Sequence, residues 1–227
     1  MFNHQFDFIT DWTVSAVQFS YRLLVQNTYF ILSNSLFLIL LLFLRLTMNN
    51  FVFFIVPIFF LLASFSAQFK SIQESKEDTI SIGRYISLYK EVLKNGWQTF
   101  LVYTFFIVLI VLDLRILFVA NLTMMMYLLI IVGCFLLSSM FFVLVISTDT
   151  RVKAISLKRR LVWSLFISCR LPLVTLVNFL YVLLAIFFLQ NFSLAYLCFL
   201  GGAVNYYVYL NVNRRFSIDL FFEQMNR

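Results

Sequence analysis

The sequence predicts an all-α integral membrane protein, a bundle of six transmembrane helices with both termini in the cytoplasm. Of its 227 residues, 63% are hydrophobic and 12% are charged, whereas soluble domains have about 45–50% and about 25%. The mean hydropathy is +0.95. A folded chain with so little polar surface fits lipid, rather than water, as its main solvent. The placement of apolar and basic residues along the chain then gives the individual helices and their orientation.

Six stretches are long and apolar enough to cross a bilayer as a helix, which takes about 17–25 residues. Backbone polar groups have no water to bond inside lipid, so an uninterrupted apolar run favours a helix. The alternation of polar and apolar residues that is typical of membrane barrels is absent from all six. The chain 1–227 is therefore predicted to be a single transmembrane domain with spans at 29–46, 51–69, 98–119, 123–147, 172–189 and 192–210.

The segments outside these spans are also patterned. Residues 1–28 place apolar side chains at helical spacing, which predicts an amphipathic helix in the membrane interface. Residues 80–97 repeat the pattern, and the more basic segment 151–170 runs into Pro172, which can open the fifth helix. We expect a cytoplasmic tail at 211–227. The acidic and aromatic start of the chain differs from a signal peptide, so we expect no cleavage.

Positive charge is distributed unequally between the two sides of the predicted bundle. Of the 17 Lys and Arg residues, all but Arg45 and Arg115 lie on the side of the termini and the two long connections. Short segments rich in Lys and Arg stay in the cytoplasm, which gives the orientation. Anionic lipid headgroups are then the expected counter-charge for the net charge of +7, and binding to nucleic acid is not expected.

Two charged residues near the outer end of the third span are candidates for function, because charge within a membrane helix is costly. Asp113 and Arg115 are two residues apart, so they point to different sides of a helix and are not expected to pair. Arg45 is the expected partner for Asp113. A structural or topological role and an extracellular-side ligand or proton site both stay open.

Three asparagines lie inside predicted spans, namely Asn34, Asn178 and Asn205. Amides at such depth usually bond to a neighbouring helix, and the alternative is a polar translocation path. The small residues at 201–203 allow either close helix contact or a break in the sixth helix.

Motifs of enzymes are absent from the sequence. It has no H-E-x-x-H, no G-x-S-x-G and no phosphate-binding loop, so we expect no enzyme activity and no cofactor. Cys134, Cys169 and Cys198 are isolated from one another, and His4 is the single histidine. A disulfide framework and a metal site are therefore not expected, and these residues are assigned no functional role.

Several segments resemble the YesL-like family of small multi-spanning membrane proteins from Gram-positive bacteria, whose biochemical activity is unknown. They are LSNSLFLILLLFL in the first span, PIFFLLASFSAQFKSIQE in the second, YISLYKEVLKNGWQTFLV leading into the third and LDLR at its end. The second half of the chain is similar in hydropathy and in the basic segment before RLPLVTL. The resemblance implies an accessory or regulatory subunit of a carbohydrate ABC importer in the bacterial cytoplasmic membrane.

Two functions are therefore considered. The first is an interaction protein that docks on a sugar permease or sensor through the amphipathic segment 80–97. The second is a small-solute transporter with a polar path through the three asparagines, which is weaker because no internal repeat or buried ion site is visible. The residues expected at the partner surface are Tyr85, Tyr89, Lys90, Lys94 and Trp97.

Overall fold

A computed structural model of the chain describes residues 3–75 and 80–225, and these ranges contain helices and no strand. The charged residues Lys76, Glu77 and Asp78, between the second and third predicted spans, lie outside the described residues. The helices are α1 Asn3–Ser33, α2 Ser35–Phe43, α3 Ile55–Glu74, α4 Ile82–Val119, α5 Thr123–Ile146, α6 Leu157–Arg170, α7 Pro172–Asn191, α8 Ser193–Ala195, α9 Gly201–Asn213 and α10 Ile218–Met225, with 3₁₀ turns at Phe51–Phe54 and Thr150–Ala154 and a π-helical turn at Tyr196–Leu200.

The prediction of an all-α membrane bundle is confirmed. Within residues 3–75 and 80–225, five segments are long and apolar enough to cross a membrane, and the bent pair α1–α2 would make a sixth. Of the five, α5 at Thr123–Ile146 and α7 at Pro172–Asn191 agree closely with the predicted spans. Pro172 occupies the first turn of α7, as expected, where its missing amide hydrogen costs nothing.

The first span differs from its prediction. The expected interfacial helix at 1–28 and the start of the span at 29–46 form one continuous helix, α1, of 31 residues. The span is interrupted at Asn34, and α2 turns away from α1 by 72°. The local cause is the sequence Ser33, Asn34, Ser35, because such side chains compete for backbone hydrogen bonds. Ser33 Oγ donates to the carbonyls of Tyr29 and Phe30, and Asn34 Nδ2 also donates to Phe30.

The third span also differs. The amphipathic segment predicted at 80–97 is not separate from the span at 98–119 but forms the first part of the same helix, α4, which has 38 residues. Ser81 caps this helix, since its Oγ accepts a hydrogen bond of 3.3 Å from the amide of Arg84. Hydropathy changes between residues 80–97 and 98–119, but the helical backbone of α4 continues through both. The change from an amphipathic to an apolar segment therefore does not mark the end of a helix.

The last segment is composite, and the tail is ordered as helix. The predicted span at 192–210 consists of α8, the π-helical turn and α9, which continues to Asn213. The predicted tail at 211–227 contains α10, and Phe216, Phe221 and Phe222 around its start are buried. These aromatic side chains join the main apolar cluster, which explains why the segment folds onto the bundle.

The helix α3 lies at the centre of the bundle and packs on α1, α4, α5 and α9. On α5, every residue from Met140 to Ile146 is buried. Together with Leu62, Phe69 and Phe100 these residues form the main core. A smaller cluster around Phe30 and Tyr196 joins the first segment to the last. The first and last membrane segments therefore pack against each other within the bundle.

Candidate functional site

The interruption at Asn34 lies deep in the bundle. The side chain of Asn34 is 2% exposed. Its Nδ2 donates hydrogen bonds of 2.9 Å to the Phe30 carbonyl and 2.8 Å to Ser64 Oγ. Ser64 is halfway along α3, so the interruption lies near the middle of a membrane-spanning helix. Asn34 Oδ1 is also buried but has no hydrogen-bond partner among the described residues.

A groove of about 480 Å³ lies beside this interruption. Tyr85 donates from its hydroxyl to Ser33 Oγ at 3.1 Å, and Ser33 Oγ is 2.6 Å from Ser64 Oγ. None of the side chains that line the groove, all within the described ranges, carries a charge. They are Leu32, Ser33, Asn34, Ser35, Leu36, Phe37, Pro57, Phe60, Tyr85, Ile86 and Tyr89.

The second interruption is the π-helical turn in the last segment. Asn27 on α1 bonds to this turn and to the start of α9: Nδ2 donates to the carbonyl of Cys198 within the turn, and Oδ1 accepts from the amide of Gly202 at 2.9 Å. A Cβ at Gly202 would lie 2.6 Å from the backbone of Asn27, and one at Gly201 would overlap the ring of Phe30. The small residues therefore provide the close helix contact that was expected, next to a local change in the helix.

A set of amides, which we name the amide cluster, joins α1, α3 and α9. Gln26 Nε2 donates to Ser71 Oγ at 3.0 Å, and Gln68 Nε2 donates to the Gln26 carbonyl at 2.8 Å. Asn205 Nδ2 donates to Gln68 Oε1. Asn205 therefore bonds to a neighbouring helix, as expected for an amide at this depth.

A second set, which we name the hydroxyl cluster, joins α5, α6, α7 and α9. Asn178 Oδ1 accepts a hydrogen bond of 2.8 Å from Asn211 Nδ2, and Asn178 Nδ2 donates to Ser138 at 3.4 Å. Thr175 bonds to Ser168, and Ser138 donates to Thr175 at 3.3 Å. Asn178 thus contacts neighbouring helices too. The structure does not join Asn34, Asn178 and Asn205, because each bonds within a different set.

An apolar cavity of about 530 Å³ lies between α3, α4, α5, α7 and α9. Its lining includes the amide of Asn205 and otherwise consists almost entirely of aliphatic and aromatic side chains, such as Ile58, Ile107 and Val208. A cavity needs several polar partners to hold ordered water, so this one favours hydrocarbon.

The charged residues at the far end of α4 do not form the expected pair. Asp113, Arg115 and Arg45 are all exposed. Among the ion pairs of residues 3–75 and 80–225, none includes any of these three side chains. Near the end of a span the charged groups can extend to the interface, where they stay solvated. This arrangement agrees with the topological role and brings no partner to Asp113.

The predicted partner surface divides into two parts. Tyr85 is buried, and its ring stacks on that of Tyr29 with a centroid distance of 4.5 Å. Tyr89 is half-buried beside it. Lys90, Lys94 and Trp97 are exposed on one face of α4, and Trp97 is 49% exposed. The expectation that all five side chains form one surface is therefore wrong for Tyr85, because α1 covers it.

Several charged groups connect the segments on the basic side. Arg151 bonds to Asp149 at 2.7 Å and to Asp219 on α10 at 2.6 Å, and its guanidinium lies 4.5 Å from the ring centroid of Phe222. The hydrogen bonds from Arg151 hold the pKa of Asp149 below its ordinary value. Lys70 pairs with Glu91 at 2.8 Å. These contacts fix α10 and α4 against the ends of neighbouring helices.

Comparison of the chain with protein-family models, with curated proteins and with solved structures finds no match. The resemblance to the YesL-like family therefore stays a prediction. Within residues 3–75 and 80–225, no group of three His, Cys, Asp or Glu side chains is placed to hold a metal ion.

Sequence reasoning missed Asn27 and Gln68, which hold the first and last segments to α3 and to each other. A signal was present for Gln68, which interrupts the apolar second span in SAQF, but not for Asn27, which lies in the polar stretch QNT before the first predicted span. Buried amides in such runs commonly bond between helices.

Proposed function

We propose that the chain is an accessory or regulatory subunit of a carbohydrate importer in the bacterial cytoplasmic membrane. In this proposal it acts by contacting the importer's permease or an associated sensor, with its basic side in the cytoplasm. The resemblance of its sequence motifs to the YesL-like family suggests the partner, and the positive charge on one side of the bundle suggests the orientation.

The observation that carries the proposal is the continuity of α4. A helix of 38 residues is about 57 Å long at 1.5 Å per residue, whereas the hydrocarbon core is about 30 Å thick. One end of α4 therefore extends beyond the hydrocarbon while staying rigidly joined to the span. This end exposes Lys90, Lys94 and Trp97 on one face. A fixed face with an aromatic anchor and cations supports binding to a protein partner with an acidic rim.

Co-purification from native membranes tests this proposal. Tagged protein is extracted in mild detergent, as wild type and as the double variant Lys90→Glu/Lys94→Glu. We expect the wild type to retain a permease or sensor of a sugar importer, and the variant to retain at least tenfold less, because the charge of the contact face is reversed.

The matched control is Lys158→Glu/Arg159→Glu, which makes the same change of charge at exposed positions of α6. We expect this control to behave as the wild type. Equal recovery with both variants would contradict a contact through α4, and a wild type that retains no importer component would refute the proposal as a whole.

A transporter is the second candidate, and one observation favours it. The interruption of the first segment at Asn34 has the form of the discontinuous helices that bind substrates in many transporters. The separate bonding of Asn34, Asn178 and Asn205 does not supply a shared polar path. Saturable uptake of a sugar by vesicles that contain this chain alone would favour the transporter over the accessory subunit.

A further inference from the structure

Arg160, in the first turn of α6, is a buried cation without a counter-ion among the described residues. It is 8% exposed. Its Nε is enclosed and has no hydrogen-bond partner, whereas its two Nη nitrogens are not enclosed. No ion pair within residues 3–75 and 80–225 includes this side chain. A guanidinium stays charged in proteins, so its burial is costly unless an anion binds it.

The chain itself supplies no carboxylate for this cation. The sequence has no Asp or Glu between Asp149 and Asp219, and both of these carboxylates bond to Arg151. The neighbours Lys158 and Arg159 are exposed and add positive charge. The anion that compensates this basic turn of α6 is therefore expected from outside the chain.

The packing of α6 on α5 places Arg160 near one face of the bundle. Ser168 Oγ donates to the carbonyl of Phe135 at 3.1 Å, and Ser164 and Ser139 bond to the same tyrosine hydroxyl. The two helices are therefore antiparallel. Arg160 precedes Ser168 by about 12 Å at 1.5 Å per residue, so it lies within about one turn of the end of α5. That end is on the basic side of the bundle, at the level of lipid headgroups.

The outer face of α6 beyond Arg160 is apolar. Its exposed large side chains are Val162, Trp163, Leu165 and Phe166. The polar side chains of Ser164 and Ser168 are instead buried against the bundle. Such an outward apolar face on a helix with basic residues fits contact with acyl chains. A lipid that lies along α6 would bring its phosphate to Arg160 and its acyl chains to Trp163, which follows three residues later.

We propose that Arg160 binds the phosphate of an anionic phospholipid from the leaflet on the basic side of the bundle. A guanidinium binds phosphate through parallel N–H donors, and the two Nη groups are the ones that a ligand can reach. A zwitterionic lipid carries its own cation beside the phosphate, so the basic turn favours a lipid with a net negative charge. The inference concerns the purified chain alone and is independent of any docking on an importer.

The fluorescence of Trp163 tests the proposal. The full chain carries Trp12→Phe and Trp97→Phe, which leaves Trp163 as its single tryptophan. It is reconstituted in equal mixtures of phosphatidylglycerol and phosphatidylcholine, with bromine in the acyl chains of either lipid, because bromine quenches tryptophan on contact. We expect phosphatidylglycerol to bind about fivefold more tightly, as one cation near an anionic lipid provides. Equal quenching by the two brominated lipids would overturn the proposal.

Two variants separate a site from a general attraction to basic surface. Arg160→Gln removes the cation of the site. Arg215→Gln is the matched control, because Arg215 is exposed on the same side of the bundle and its loss changes the net charge equally. We expect the preference to fall below about twofold in Arg160→Gln and to stay at about fivefold in Arg215→Gln. An equal fall in both variants, or a fall in neither, would contradict a site at Arg160.

Thermal unfolding in neutral detergent shows whether the variant is folded and which anion binds. Arg160→Gln removes a buried charge that has no described partner, so its midpoint should equal or exceed that of the wild type. Added phosphatidylglycerol should raise the midpoint of the wild type only. A lower midpoint in the variant would indicate a partner within the chain and overturn the proposal. The same rise with inorganic phosphate would assign the site to a soluble anion and would overturn the lipid as its ligand.

Discussion

The first and last membrane segments are both interrupted, but they use the freed polar groups differently. At the π-helical turn of the last segment, Asn27 donates to the carbonyl of Cys198 and accepts from the amide of Gly202, so both polar atoms of its side chain have partners. At the interruption of the first segment, Asn34 Oδ1 is buried without a partner among the described residues. A polar side chain inside a membrane segment is therefore no sign of function by itself. The informative quantity is the hydrogen-bonding capacity that the fold leaves unused.

The largest effect should come from removing the side-chain amide of Asn27, which forms hydrogen bonds at the π-helical turn of the last segment. Asn27→Leu leaves the Cys198 carbonyl and the Gly202 amide without partners, at a cost of about 1–3 kcal/mol for each group. We expect a loss of roughly 2–6 kcal/mol in the free energy of unfolding, measured by denaturant titration in detergent micelles. Asn34→Leu should lose about 1 kcal/mol or less, because the Phe30 carbonyl keeps the backbone amide of position 34 and Ser64 Oγ keeps Ser33 Oγ as partners, and the unpartnered Oδ1 is removed as well. Similar losses in the two variants would contradict the distinction between the interruptions.

A smaller effect should come from crowding the same contact. A Cβ at Gly202 would lie 2.6 Å from the backbone of Asn27, so Gly202→Ala should force α1 and α9 apart and destabilise the protein by about 1–3 kcal/mol. Gly83→Ala is the control, since nothing lies within 4 Å of a Cβ at that position. There the better helix propensity of alanine should stabilise the protein by up to about 1 kcal/mol. Equal thermal midpoints for the two variants would mean that the contact is not close.

The smallest effect should come from a charged contact outside both interruptions. The pKa of Asp149 is lowered in the folded protein by Arg151, so its carboxylate favours folding above the unfolded value of about 3.9. This contribution is lost as the pH falls through the lowered folded pKa. We expect the wild type to lose thermal stability more steeply than Asp149→Asn when the pH is lowered from 5 towards 3. Parallel curves would show that the ion pair does not contribute to stability, as happens for many exposed pairs.

Hydropathy alone located the apolar part of each membrane segment, and α5 differs from its prediction by a single residue at one end. Hydropathy could not predict that α4 is continuous, because apolar content indicates whether a segment lies in lipid or in water and does not indicate where a helix begins or ends. It could not find that Tyr85 is buried either. The helical spacing of apolar side chains identifies a covered face, but only the fold shows that α1, through Tyr29, covers it.

The candidate site was predicted only in part. Asn34 was identified as an amide within a span, and the small residues at 201–203 were predicted to allow either close helix contact or a break in the helix. The interruption at Asn34 was not predicted, because Ser33 and Ser35 are tolerated in membrane helices and their competition for backbone bonds depends on the neighbours. The prediction placed Asn27 before the first span, where a polar side chain is ordinary and does not indicate a contact between helices.

Asn27 and Gly202 are 175 residues apart in the sequence, which has a consequence for biosynthesis. During insertion, the first helix enters the membrane before the last segment has been synthesised. At that stage the side chain of Asn27 lacks its hydrogen bond with the amide of Gly202. Contacts between such distant parts of a chain form late. We therefore expect the two segments to join late in assembly, and a chain shortened before Gly202 would lack the backbone amide that Asn27 Oδ1 binds.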